Sequence, residues 1–270
     1  MAILDSRVPI VRTVRIRGFG WSQVVVWGLL LFLLWQVALP IFGVFFTSLK
    51  DLRPLDEGYV RAPLVLGNFS EIIASGGLWR VTSTTFVFAF LSSTIALAIG
   101  GLLAFVTVRS DLGLGWLVAT LVLLQFTIPE LLIAFSWTFL LGPDLGLFNQ
   151  IWQSITESDG PLLDIYTFSG MIIVQSMILM PLIYLFAVPA FSALDGSLED
   201  AAAMSGAGHW HAVRTVSIPL IVPALLATWI ISFMRAWEAF EVPWVLGMRE
   251  KIMTYSTRIY WDTITPPSDT

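Results

Sequence analysis

Cysteine is absent from all 270 residues, and histidine occurs only at His209 and His211. The first absence removes disulfides and thiolate metal sites. The second leaves one pair spaced i, i+2, whose side chains face apart on a helix, which argues against any two-histidine metal site. A phosphate-cradling loop of the form GxxxxGK[ST] is also missing, so the chain carries no such device for ATP. Charge is scarce, with Asp, Glu, Lys and Arg making up 12% of the residues. No basic cluster is dense enough to hold nucleic acid. No segment repeats another at a fixed period, and no catalytic constellation or metal-ligand spacing can be assembled from what remains.

Apolar residues fill the space left by charge, at 57% of the chain and a mean hydropathy of +0.83. That composition lies far outside soluble domains and specifies an all-α polytopic membrane protein. Charge-free runs longer than the ~20 residues needed to cross a bilayer place spans within residues 18–49, 81–108 and 168–190. Two more are expected over residues 112–143, with Pro129 and Glu130 inside, and over 217–240. The first run is too long for the core of a cleavable signal peptide. Arg7, Arg12, Arg15 and Arg17 precede it and place residues 1–18 as a cytoplasmic arm by the positive-inside rule, against a contrary vote from Lys50, Arg53 and Arg61. Residues 19–270 then form the transmembrane domain. Residues 144–164 carry four acids and no Lys or Arg, as an outer segment should. Residues 242–270 read as a polar outer tail.

Four crossings from an inside amino terminus put residues 195–218 in the cytoplasm. Within and just beyond them runs LEDAAAMSGAGHWHAVRTVSIP, residues 198–219. Glu199 and Asp200 open an Ala-rich stretch of good helix formers, with acids placed to complement a helix dipole. Gly206 and Gly208 interrupt it, a second short helix follows, and Pro219 fits the first turn of the next span. The reading is helix, glycine bend, helix, membrane.

This stretch resembles the EAA loop of type I ABC-importer permeases. That loop has Glu-Ala-Ala, Gly after three residues, and Ile-x-Leu-Pro after nine more. Asp200, Ala201, Ala202, Gly206, Val216, Ile218 and Pro219 fall at those spacings, with Asp for Glu, Val for Ile and Ile for Leu. The resemblance implies a coupling helix that docks on a cytoplasmic ABC ATPase subunit through Glu199, Asp200, Ala201, Ala202, Ser205, Gly206, Ala207, Ile218 and Pro219. Further stretches, RSDLG at 109–113, IPE at 128–130, LGPDLGLFN at 141–149, FEVPWVLG at 240–247 and STRIY at 256–260, make residues 21–270 look like the first half of ferric-iron permeases. From that follow ferric iron as cargo, a prokaryotic inner membrane, an external substrate-binding protein and a second permease half or copy. ATP is then used by the partner subunit, with no cofactor in this chain. A sixth span is implied beyond Thr270. Permeases for polyamines, aminoethylphosphonate, sulfate and sugars share the same core. A membrane insertase or scaffold without ATPase coupling is the alternative from another class, and a channel is a third.

Glu130, Arg235, Glu238 and Glu241 are ionisable residues at or near membrane depth, where burial is expensive and a role along the translocation path is the default hypothesis. The bland alternative is a local pair, since Arg235 and Glu238 at i, i+3 can neutralise each other on one helix. Counting about 1.5 Å of rise per residue from each cytoplasmic entry puts Glu130 and Arg235 at similar heights, so the two are expected to face the bundle interior and to meet.

Overall fold

The computed structural model describes residues 20–52, 56–74, 76–110, 113–157, 160–194, 204, 211, 214–215 and 218–265. The chain divides into two compact units, Met1–Ser75 and Gly76–Thr270.

In the first unit, helix α1 spans Trp21–Ser48 and is long and apolar enough to cross a bilayer. A polar knot closes its carboxyl end. Lys50 is buried, its Nζ donates to the carbonyls of Ala62 at 2.6 Å and Val60 at 3.4 Å, and it lies over the rings of Phe46 and Tyr59. Asn68, in helix α2 (Gly67–Ala74), donates to the carbonyls of Ser48 and Lys50. The bond to Ser48 satisfies one of the carbonyls that a helix terminus leaves open. Lys50 is therefore held by local chain closure, and its charge says little about which side of the membrane it occupies.

The second unit is built on α3 (Gly77–Arg109), α7 (Phe168–Ser192) and α8 (Ile218–Glu238), each able to span a membrane. The buried face of α3 carries Thr85, Ala89, Ser92, Ala96, Gly100 and Ala104, small residues about four apart. Small side chains let helix backbones approach closely where no hydrophobic force drives helices together. At Gly100 the approach is limiting: a Cβ there would sit 2.8 Å from the Met180 carbonyl oxygen and 3.1 Å from Ile183. Helix α7 holds Pro181 in its interior. A proline removes one i→i−4 donor, which leaves the Met177 carbonyl open. Gln125 of α4 (Gly115–Thr127) donates its Nε2 to that oxygen at 2.7 Å, a repair of the kind that lets proline persist in a membrane helix.

The third expected span is not one rod. Helices α4 and α5 (Glu130–Leu141) meet at a 105° bend. The cause is local, because the residue before a proline is pushed out of the α region. Ile128 has ψ 130° and Pro129 has ψ 135°. Pro129 then caps α5, where its missing N–H costs nothing. Between α5 and α7, α6 (Leu147–Thr156) is fixed by the buried Asn149. Its Nδ2 donates to the carbonyls of Leu141, Gly142 and Leu163, and its Oδ1 accepts from the Leu163 N–H.

The carboxyl segment differs from the polar tail expected at 242–270. A π-helical turn, Pro243–Gly247, and α9 (Tyr255–Ile264) fold back onto the bundle, burying Val242, Leu246, Thr254 and Thr257. Thr254 and Thr257 cap α9 reciprocally. The Tyr255 N–H donates to Thr85 at 3.1 Å, and the Tyr255 hydroxyl meets Thr82. Composition misled here, because short polar side chains that bond to helix ends and to α3 look the same as solvated ones.

Candidate functional site

Glu130 opens α5, where a carboxylate complements the amino-terminal end of the helix dipole. Arg235 sits in the last turn of α8, and the two helices bring its Nη2 to 2.8 Å from Glu130 Oε1. Its Nη1 lies 3.1 Å from Glu238 Oε1 on the same helix. The expected meeting of Glu130 and Arg235 is thus present, and so is the local i, i+3 pair, with one guanidinium serving both. The straight climb used to predict it does not survive the bend at Pro129. Helix α4 supplies only 13 residues, about 20 Å of rise, before the chain turns.

These groups line a recess of about 260 Å³ together with Ala239, Phe240 and Glu241. Glu241 accepts the Phe240 N–H at 3.3 Å. Side-chain exposures of 52% for Arg235, 32% for Glu130 and 64% for Glu238 show that the cluster opens on the surface of the chain and is not sealed in the core. One cation against three carboxylates leaves the recess formally two charges negative. Phe240 continues into an aromatic cluster with Trp244 and Tyr260, with ring centroids 4.7–5.5 Å apart. A second ion pair lies apart from the recess. Arg249 reaches Asp144 at 3.4 Å and covers the Tyr166 ring at 4.6 Å. The hydrogen bond that Arg249 donates to Asp144 raises the Arg249 pKa above its ordinary value.

Of the predicted coupling residues, Glu199, Asp200, Ala201, Ala202, Ser205, Gly206 and Ala207 lie outside the described residues. Ile218 and Pro219 open α8, with Pro219 in the first turn as its sequence position predicts. Among the described residues no group of three or more His, Asp or Glu is placed to hold a metal ion. Sequence reasoning missed Gln125, Asn149 and Tyr255. For Gln125 a signal exists, a lone amide in an apolar run facing a proline-broken helix. For Asn149 and Tyr255 the partners lie across loops that no spacing reveals.

Residues 96–266 match the family described as "Binding-protein-dependent transport system inner membrane component". The chain belongs to this family. It is a multi-pass permease, and the fold agrees. A bacterial ABC transporter involved in the import of the acidic polysaccharide alginate superposes with a TM-score of 0.72 at 18% identity, over 90% of this chain and 84% of that one. Among curated relatives, the trehalose/maltose transport system permease protein MalF of Thermococcus litoralis is 26% identical, over 78% of this chain and 71% of its own length. Permeases named for diacetylchitobiose and trehalose uptake match over 54% and 58% of their own lengths. A putative ferric transport system permease protein of Haemophilus influenzae is 25% identical over 74% of this chain and 29% of its own length. These relatives are transport permeases and not enzymes. Family membership sets aside the insertase, scaffold and channel readings.

Proposed function

We propose that the permease forms one wall of the translocation path of a binding-protein-dependent ABC importer for a carbohydrate. The supporting observation is the open, polar recess of Glu130, Arg235, Glu238 and Glu241 at the end of α8, the helix that begins where the EAA-like loop ends. Carboxylates and a guanidinium exchange hydrogen bonds with hydroxyl-rich solutes as readily as with water. Several of the relatives are named for sugars and one for ferric iron. Iron, the cargo implied by the resemblance, is the less supported of the two. Residues 195–218 dock on a cytoplasmic ATPase subunit, an external binding protein delivers cargo, and a second permease half completes the path. The amino terminus is cytoplasmic.

The test is uptake into proteoliposomes containing the permease, its partner permease and the ATPase subunits, with binding protein outside. Trehalose or maltose is expected to accumulate with ATP hydrolysis, and ferric iron is not. Gly206→Leu is expected to abolish uptake and cargo-stimulated ATP hydrolysis while insertion stays normal, because a side chain at the bend blocks close docking. Iron uptake with no sugar uptake refutes the cargo, and normal coupling in Gly206→Leu refutes the loop.

A further inference from the structure

Helix α6 is inside out. Its buried residue is polar, Asn149 at 0% exposure, and its outward residues are apolar, with Phe148 at 45%, Ile151 at 45% and Ile155 at 75% exposed. In water such a helix would gain by rolling the other way, since each large apolar side chain it buried would contribute about 1.5–3 kcal/mol. It is prevented from rolling by the four hydrogen bonds that hold Asn149 to the carbonyls of Leu141 and Gly142 and to the backbone of Leu163. The apolar stripe walls an open recess of about 390 Å³, whose other sides are Leu141, Leu162 and Leu163. No charged residue occurs within Leu147–Thr156, the polar positions being Asn, Gln, Ser and Thr.

We infer that α6 is an interfacial helix, its apolar face and the recess filled by the acyl chains of bilayer lipid. Three features on the chain select lipid over a protein partner. Helix α6 lies a short connector ahead of Phe168, the first residue of the spanning helix α7, which places it near the height where that span enters the hydrocarbon. The recess beside it is lined only by Leu, Ile, Phe and Trp, without the polar groups that a protein docking surface mixes among its apolar ones. Trp152, 39% exposed on the same side, belongs to the residue type enriched at the membrane boundary. An amphipathic helix lying in the interface plane sets a face of Trp, Phe and Leu type in the headgroup and acyl boundary, and α6 presents such a face opposite uncharged polar residues. The Asn149 clamp then acts as an orienting device, keeping the apolar face toward lipid. The inference rests on membership of the membrane-permease family and not on the cargo.

The absence of cysteine makes the test direct. Nitroxides are placed at Ile151→Cys, Ile155→Cys and Ser154→Cys, one at a time, in the assembled transporter. It is reconstituted in phosphatidylcholine and phosphatidylglycerol vesicles, with the unsubstituted transporter as blank. Collision with oxygen, which concentrates in lipid, is compared with collision with a water-soluble nickel chelate. At 151 and 155 oxygen is expected to win several-fold, and at 154 the chelate. Chelate collisions equal to or above those of oxygen at 155 mean a water-facing stripe and overturn the proposal. Suppression of both at 151 and 155 means a protein covers the face and overturns it equally. Asn149→Leu, if it folds, is expected to lose the contrast between 154 and 155, and retention of the contrast removes the clamp from the account.

Discussion

Replacing Glu130 by Gln leaves Arg235 with one partner, Glu238 at 3.1 Å. Replacing Arg235 by Gln leaves two or three carboxylates facing one another across the recess. The second change is therefore expected to cost more. For a pair fully in water the coupling is about 0.2–1 kcal/mol, whereas breaking a buried pair costs about 3–5 kcal/mol because a charge is left uncompensated. Exposures of 32% and 52% put this contact between the limits, so a double-mutant cycle on thermal unfolding of the assembled transporter should give a coupling of about 1–3 kcal/mol. The reversed pair, Glu130→Arg with Arg235→Glu, should restore transport only in part, for two calculable reasons. An arginine at the amino-terminal end of α5 loses about 0.3–1 kcal/mol of dipole interaction, and a glutamate at 235 would face Glu238 at i, i+3 as a like charge. Adding Glu238→Gln to the reversed pair should recover part of the loss. Additivity within about 0.5 kcal/mol, together with full uptake by Glu130→Gln, would refute the reasoning.

Two further outcomes follow from the helix seams. Gln125→Leu removes the donor to the half-buried Met177 carbonyl and should destabilise the permease by about 1 kcal/mol or somewhat more, toward the low end of the cost of an unpaired acceptor. Pro181→Ala in the same chain restores the backbone donor and should cancel most of that loss, and equal melting temperatures for wild type and Gln125→Leu would contradict it. Gly100→Ala should destabilise by about 1–3 kcal/mol through overpacking, because the new Cβ meets a backbone carbonyl at 2.8 Å. Gly101→Ala, with nothing within 4 Å of its Cβ, should be neutral or stabilising by up to about 1 kcal/mol, and a melting scan of the two variants decides.

What was legible in the sequence was whatever depends on composition over long stretches or on one chain's own spacing. The spans of α1, α3 and α7 follow from charge-free length, and Pro219 at the start of α8 follows from the helix position that tolerates a missing N–H. The Glu130 and Arg235 contact was legible too, though through an argument whose geometry was only half right. Two ionisable residues in apolar surroundings have few partners to choose from, so chemistry selected the pair even though the bend at Pro129 spoiled the height count. The bend itself is written in Ile128-Pro129, but a single span over 112–143 passes through it, since periodicity has no term for a 105° turn. Folding back of the carboxyl segment was not legible. Thr254, Tyr255 and Thr257 bury polar atoms against α3 and one another, and such bonds leave no periodic trace.

Taken together, the site residues make a continuous mechanical path if the proposed coupling role is granted. Helix α8 runs from Ile218 to Glu238, roughly 31 Å at the standard rise. Its first turn adjoins the loop proposed to ride on the ATPase, and its last turn holds Arg235 on Glu130. Glu130 is the first residue of α5, immediately after the point where the backbone hydrogen-bond ladder is broken by Pro129, and that break is where the α4–α5 pair resists bending least. A packed helix carries strain along its length, so on that proposal a displacement at Pro219 would pass the missing backbone bond at Pro223, reach Arg235 and be delivered through the ion pair to the joint. On that proposal, the contact that lowers the cost of holding charge in a membrane protein also sits at the joint that loop movement would reach, and these two roles make opposite demands. A pair that only neutralised charge would work as well anywhere along α8, whereas a pair that transmits movement must sit at the break.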